Sequence, residues 1–135
     1  MNKLTGTIVG IESSQHMSMV DIDVDGHIFS SVVLETPQTA EYLKEGTKVT
    51  LLFKETEVSI AKNLSGQISL RNRFKAVIKG IERSPILTKV ILNYQQGEII
   101  SIISTRSADR LELKPGDEVE WLVKTNEVSL CSLYF

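Results

Sequence analysis

The sequence repeats itself. Slid by seventy residues, Asn2-Lys3-Leu4-Thr5-Gly6-Thr7-Ile8-Val9-Gly10-Ile11-Glu12 falls on Asn72-Arg73-Phe74-Lys75-Ala76-Val77-Ile78-Lys79-Gly80-Ile81-Glu82, with five identical pairs. The same offset sets Leu43-Lys44-Glu45-Gly46-Thr47-Lys48-Val49 on Leu113-Lys114-Pro115-Gly116-Asp117-Glu118-Val119, and Lys54-Glu55-Thr56-Glu57-Val58-Ser59 on Lys124-Thr125-Asn126-Glu127-Val128-Ser129. Repetition changes what 135 residues mean. The chain divides into a first domain at 1–62, a linker at 63–69 and a second domain at 70–135. Between these matches, Gly26 aligns with Gly97 and Ile28 with Ile99 if the second hairpin carries one extra residue.

Each repeat reads as strands. Val20-Asp21-Ile22-Asp23-Val24 alternates between apolar and acidic residues, as a half-buried strand does. Asp25-Gly26 then supplies the positive φ angles of a two-residue hairpin turn, with Gln96-Gly97 as its counterpart. A third strand follows at Ile28 to Leu34 and at Ile99 to Ile103. Thr36-Pro37 and Ser107-Ala108-Asp109 offer N-caps for a short helix in each repeat, ending before Gly46 and Gly116. Val49 to Lys54 and Val119 to Lys124 form a fourth strand, and Val58 to Ala61 and Val128 to Cys131 a fifth. The expected fold is all-β with one short helix per repeat: two tandem five-stranded barrels of the oligonucleotide/oligosaccharide-binding (OB) type. A barrel of about sixty residues buries only about 60% of its unfolded surface, so packing between units and between chains is expected.

Composition removes several function classes. A formal net charge of −2 and 6% aromatic residues, scattered, argue against a nucleic-acid surface. The single cysteine, Cys131, permits no intrachain disulfide and fits a reducing compartment, and it reads as core. The absence of an apolar run of about 18 residues argues for a cytoplasmic, non-membrane protein. Asp21-Ile22-Asp23-Val24-Asp25-Gly26 imitates a calcium loop, but Val32 stands where the bidentate glutamate belongs. His16 and His27 have no partners at metal-ligand spacing. Trp121, Leu51 and Phe53 read as packing residues.

The groups suited to a ligand are donors. Ser69-Leu70-Arg71 puts a hydroxyl and a guanidinium on one face of an extended segment, a pattern suited to an oxyanion. Ser104-Thr105-Arg106-Ser107 collects hydroxyls at a strand end, and Lys124 adds a cation at the next one.

Four segments of the second repeat, in order, resemble the Mop branch of the TOBE family, the molbindin-like domains. They are Ser69-Leu70-Arg71-Asn72, Ile103-Ser104-Thr105-Arg106-Ser107, Leu113-Lys114-Pro115-Gly116-Asp117-Glu118-Val119 and Lys124-Thr125-Asn126-Glu127-Val128. The duplicated arrangement is similar to di-Mop proteins and to the C-terminal half of molybdate-responsive regulators. The resemblance implies a non-enzymatic protein that binds molybdate or tungstate between domains or subunits of a homo-oligomer, a trimer before a dimer. A ligand-free interaction module associated with oxyanion transport is the alternative. Carried over, the resemblance implies Ser69 and Arg71 donating from one side, and Ser104, Ser107, Lys124 and the Thr125 backbone N–H from the other. It implies no metal coordinated directly by the protein and no organic cofactor. The first repeat departs from the pattern. Met1 occupies the position of Arg71, and with the extra hairpin residue Val33 takes that of Ser104 and Glu35 that of Arg106. Thr36 and Lys54 remain for a weaker or mixed site.

Overall fold

The computed structural model describes residues 1–95 and 97–132. The strands are β1 Asn2–Ser13, β2 Ser18–Val24, β3 His27–Val33, β4 Lys48–Phe53, β5 Ser59–Ala61, β6 Asn72–Arg83, β7 Leu87–Tyr94, β8 Gly97–Ser104, β9 Glu118–Val123 and β10 Ser129–Ser132. One α-helix, α1, spans Thr105–Arg110. Short 3₁₀ turns at Glu55–Glu57 and Thr125–Glu127 precede β5 and β10.

These strands form two curled five-stranded antiparallel sheets, ordered β10-β4-β1-β2-β3 and β5-β9-β6-β7-β8. The fifth strands have changed places. β5, from the first repeat, pairs with β9, and β10, from the second, pairs with β4. The compact units are therefore Met1–Phe53 with Lys124–Phe135, and Lys54–Val123, rather than the two contiguous repeats. The cause is local. Lys54 (φ −75°, ψ 148°) and Val58 (φ −92°, ψ 122°) flank the 3₁₀ turn in extended conformation, and no residue from 54 to 58 has the positive φ that would reverse the chain. Lys124 and Val128 repeat that geometry.

Alternation builds each core. Val20, Ile22 and Val24 of β2 and Val49, Leu51 and Phe53 of β4 are buried in the first unit. In the second, Val90, Leu92 and Tyr94 of β7 are buried, as is Trp121, against which Tyr94 stands edge-on at 5.1 Å and Phe74 tilted at 5.2 Å. Such pairs add about 0.5–1.5 kcal/mol beyond their area. β1 and β6 each carry a bulge, between Ile8 and Gly10 and between Ile78 and Gly80. Each bulge bends a long strand so that its first half pairs with one neighbour and its second half with another. Gly6 has no room for a side chain: a Cβ there would lie 2.6 Å from the Asp23 carbonyl oxygen.

The hairpins change the alignment of the repeats. Asp25 (φ 48°) and Gly26 (φ 92°) form the expected turn, and Asp23 Oδ1 accepts the Gly26 N–H at 2.7 Å. In the second repeat Gln95 (φ 53°) takes the first turn position, while Gly97 already pairs with Tyr94. Gln96 lies outside the described residues. Val24 pairs with His27 as Tyr94 pairs with Gly97, so the offset stays at seventy and no residue is inserted. Two equivalent bonds agree: Ser31 Oγ donates to the Val128 carbonyl, and Ser101 Oγ to the Val58 carbonyl.

Leu34, not Val33, therefore takes the place of Ser104; Glu35 takes that of Thr105, Thr36 that of Arg106, and Pro37 that of Ser107. This explains why only one α-helix forms among the described residues. Ser104 caps α1, its Oγ accepting the Ser107 N–H at 3.1 Å, and Leu34 has no such group. The segment after it makes isolated turns, with the Thr39 and Ala40 N–H groups both donating to the Thr36 carbonyl. Cys131 is half-buried rather than core, because it lies on the short edge strand β10.

Candidate oxyanion site

The donor residues of the second repeat gather at two poles, with Lys124 and Thr125, which directly follow β9, falling in the first compact unit. At the first, Asn72 pairs with Val123, so Arg71 and Lys124 stand one residue beyond the last pair of the β6–β9 ladder. Ser69 lies two residues before Arg71, and the Thr125 N–H follows Lys124. Ser69, Arg71 and Lys124 are exposed, and Thr125 is half-buried.

Ser104 closes the β7–β8 ladder opposite Leu87, and the Thr105 N–H donates to the Ile86 carbonyl. Ser104 Oγ lies 3.0 Å from Ser107 Oγ. Arg83, the last residue of β6, pairs with Asp109 of α1 and reaches the Leu113 carbonyl. Ser104 and Ser107 therefore sit where β6 ends, whereas Ser69 and Arg71 sit where it begins. Twelve residues of β6 separate the poles, roughly 35 Å of strand at about 3.3 Å per residue. Along the strand, the two donor sets therefore lie toward opposite ends of β6.

The first repeat has the same strand ends with different residues. Asn2 pairs with Phe53, which leaves Met1 and Lys54 where Arg71 and Lys124 stand. Leu34, 80% exposed, and Pro37 replace the two serines at the other pole. Thr36 is buried, and its N–H donates to Thr39 Oγ1 at 2.9 Å. Beside it Glu35 accepts the Tyr42 hydroxyl at 2.6 Å. Burial, and then this bond to a carboxylate, push the Tyr42 hydroxyl well above the usual tyrosine range.

Sequence reasoning missed a further residue at the serine pole. Lys62, brought in on the exchanged β5, donates to the Leu111 carbonyl at 3.1 Å, the Glu112 carbonyl at 3.2 Å and Asp117 Oδ2 at 3.1 Å. Lys62 holds the Asp117 carboxyl below its ordinary range. Its position as the last residue of the expected first domain hid it, since only the strand exchange carries it to the end of α1. Among the described residues no three His, Cys, Asp or Glu side chains converge as metal ligands, and no helix is long and apolar enough to cross a membrane.

Fold and donors define a tandem pair of small OB-like barrels with oxyanion-type donor sets at the poles of the second. The TOBE domain model matches residues 1–60 and 68–130, and the chain belongs to that family. It is similar to the molybdenum-pterin-binding protein MopA of Rhodobacter capsulatus, with 32% identity over 108 residues, covering 78% of this chain and 41% of MopA. Molybdenum-pterin-binding protein 1 of Clostridium pasteurianum is 34% identical over 64 residues, 47% of this chain and 94% of that protein. The molybdenum import ATP-binding protein ModC of Brucella abortus is 33% identical over 92 residues, of which this chain spans only 26% of the relative. Among solved structures, the cytoplasmic molybdate-binding protein ModG with molybdate bound superposes with a TM-score of 0.91 at 29% identity, covering 97% of this chain and 95% of that one. The chain is a tandem Mop-type member of the family.

Proposed function

We propose that this protein binds molybdate, and tungstate equally, as a cytoplasmic store, buffer or sensor without turnover. The anion is held between copies of the chain. Ser69, Arg71, Lys124 and the Thr125 N–H of one copy meet Ser104 and Ser107 of the next. The observation that supports this reading is the strand register: Arg71 and Lys124 follow one end of the β6–β9 ladder, whereas Ser104 and Ser107 lie by the other end of β6. Contacts of one pole with the other pole of a neighbour are satisfied throughout only in a closed assembly. A trimer is the form implied by the resemblance.

A tetrahedral dianion surrounded by a guanidinium, an ammonium, hydroxyls and a backbone N–H needs no metal ligand from the protein. Because Met1, Leu34 and Pro37 supply none of the corresponding donors, each chain binds one anion rather than two. Calorimetric titration with molybdate, tungstate and sulfate tests the reading. Molybdate and tungstate should bind at one per chain, and Arg71→Ala should abolish the heat. No heat from any of the three would refute it.

A further inference from the structure

The two repeats differ most where the exchanged strands end. β5 runs along β9 toward the serine pole, its last pair being Ala61 with Glu120. The next residue, Lys62, lies under the end of α1. Its ammonium is held by three acceptors, two of them the carbonyls of Leu111 and Glu112. Glu112 has a left-handed backbone (φ 51°), an unfavourable conformation for a residue with a side chain, and the lysine grips the carbonyls on both sides of the Leu111–Glu112 step.

A continuous path leads from there to the donors. The Leu111 N–H donates to the Ser107 carbonyl at 3.0 Å, and the Ser107 N–H donates to Ser104 Oγ at 3.1 Å. Lys62 is thus two hydrogen bonds from Ser107 and three from Ser104. In the first unit the residue at this offset is Ser132. There it lines, with Tyr42, Gly46 and Thr47, an open cavity of about 740 Å³. Arg83, which braces α1 from the other side, is likewise matched by Ser13. The unit without these cations is the unit without the helix.

We propose that Lys62 is a positioning residue for the oxyanion site: delivered by the exchanged strand, it holds α1 so that Ser104 and Ser107 face the ligand in one arrangement. This rests on the functional reading above, and it assigns to the strand exchange a part in binding rather than in barrel closure alone. Lys62 touches no ligand. Its effect should appear as weaker affinity at unchanged stoichiometry.

The test compares Lys62→Met, which keeps the methylene stem and removes the ammonium, with Lys62→Arg and with Ser132→Lys. Molybdate titration of the full-length protein should show Lys62→Met binding about tenfold more weakly, the scale of lost supporting contacts behind a ligand site. Lys62→Arg, keeping the charge on a different fork of donors, should recover affinity to within about threefold of native. Ser132→Lys should change nothing. Hydrogen exchange should quicken at the Ser107 and Leu111 amides of Lys62→Met and stay native along β1. Native affinity in Lys62→Met, or Lys62→Arg binding no better than Lys62→Met, would overturn the proposal. Failure of the native protein to bind molybdate is a different result, recognisable before any variant is made, and would overturn the functional reading beneath it.

Discussion

Replacing Ser104 by alanine should loosen α1 alone, by an amount that can be worked out in advance. α1 has six residues, too few for a helix to persist on its own propensity. It depends on its cap, on Arg83 and on Lys62. The Ser104 hydroxyl accepts the Ser107 N–H at 3.1 Å and donates to Ser107 Oγ at 3.0 Å. Ser104 is exposed, so water can replace part of what is lost, and the cost should be that of an ordinary N-cap, about 1 kcal/mol. Opening of α1 then becomes about fivefold more frequent. Amide exchange followed by mass spectrometry should report this at Leu111, Glu112 and Leu113, whose N–H groups donate to Ser107, Asp109 and Ala108. Peptides from β1, β2 and β4 should exchange at native rates. Unchanged exchange at 111–113 would refute the claim that the cap holds the helix, and faster exchange across both units would refute the claim that the effect is local.

Trp121→Ala should cost about 3–5 kcal/mol, because it empties the centre of the second unit's aromatic cluster, and urea denaturation should show most of the protein's stability gone. Gly6→Ala should lower the melting temperature, since the added methyl meets the Asp23 carbonyl oxygen at 2.6 Å, whereas Gly10→Ala, with its nearest neighbour 3.5 Å away, should leave it near native. Stability should fall in acid. A bond from Arg73 holds the Glu120 carboxyl below its ordinary range, as Lys62 does for Asp117. A carboxyl depressed in the folded state contributes fully above its unfolded value, about pH 4, and the contribution is lost as pH falls through the lower folded value. Urea midpoints should therefore drop below about pH 4, less steeply in Glu120→Gln, which has already lost the pair. A Glu120→Gln curve parallel to native would contradict this.

The strands were legible in the sequence because burial on one face forces alternation, and Val20 to Val24 and Val49 to Phe53 show it plainly. Repetition gave the number of sheets for the same reason. The exchange of fifth strands was not legible. β5 and β10 pair equally well by pattern with β4 or β9, and the choice lies in extended φ and ψ values at Lys54 and Val58 that no residue type there enforces. Aligning the repeats on a glycine at the second hairpin turn shifts them by one residue, because Gln95 adopts the left-handed conformation and Gly97 is a ladder residue. That slip hid the replacement of Ser104 by Leu34, and with it the loss of the first helix. Ser69, Arg71, Ser104, Ser107, Lys124 and Thr125 stand as candidate donors by sequence alone, whereas the distribution of Arg71, Lys124, Ser104 and Ser107 between the two ends of β6 needed the strand register.

The central claim is that one copy supplies the arginine pole and another the serine pole. Co-expressing Arg71→Ala with Ser104→Ala/Ser107→Ala under two affinity tags tests it most directly, since each variant alone should bind no molybdate. In randomly mixed assemblies a site works only where an intact arginine pole meets an intact serine pole, so the whole population, homo-assemblies included, should regain about a quarter of native binding in any closed ring, and doubly tagged trimers alone about a third. Measured by equilibrium dialysis, that recovery is the result the account predicts. A mixture that binds no more molybdate than its components would place both donor sets in the same chain and contradict it.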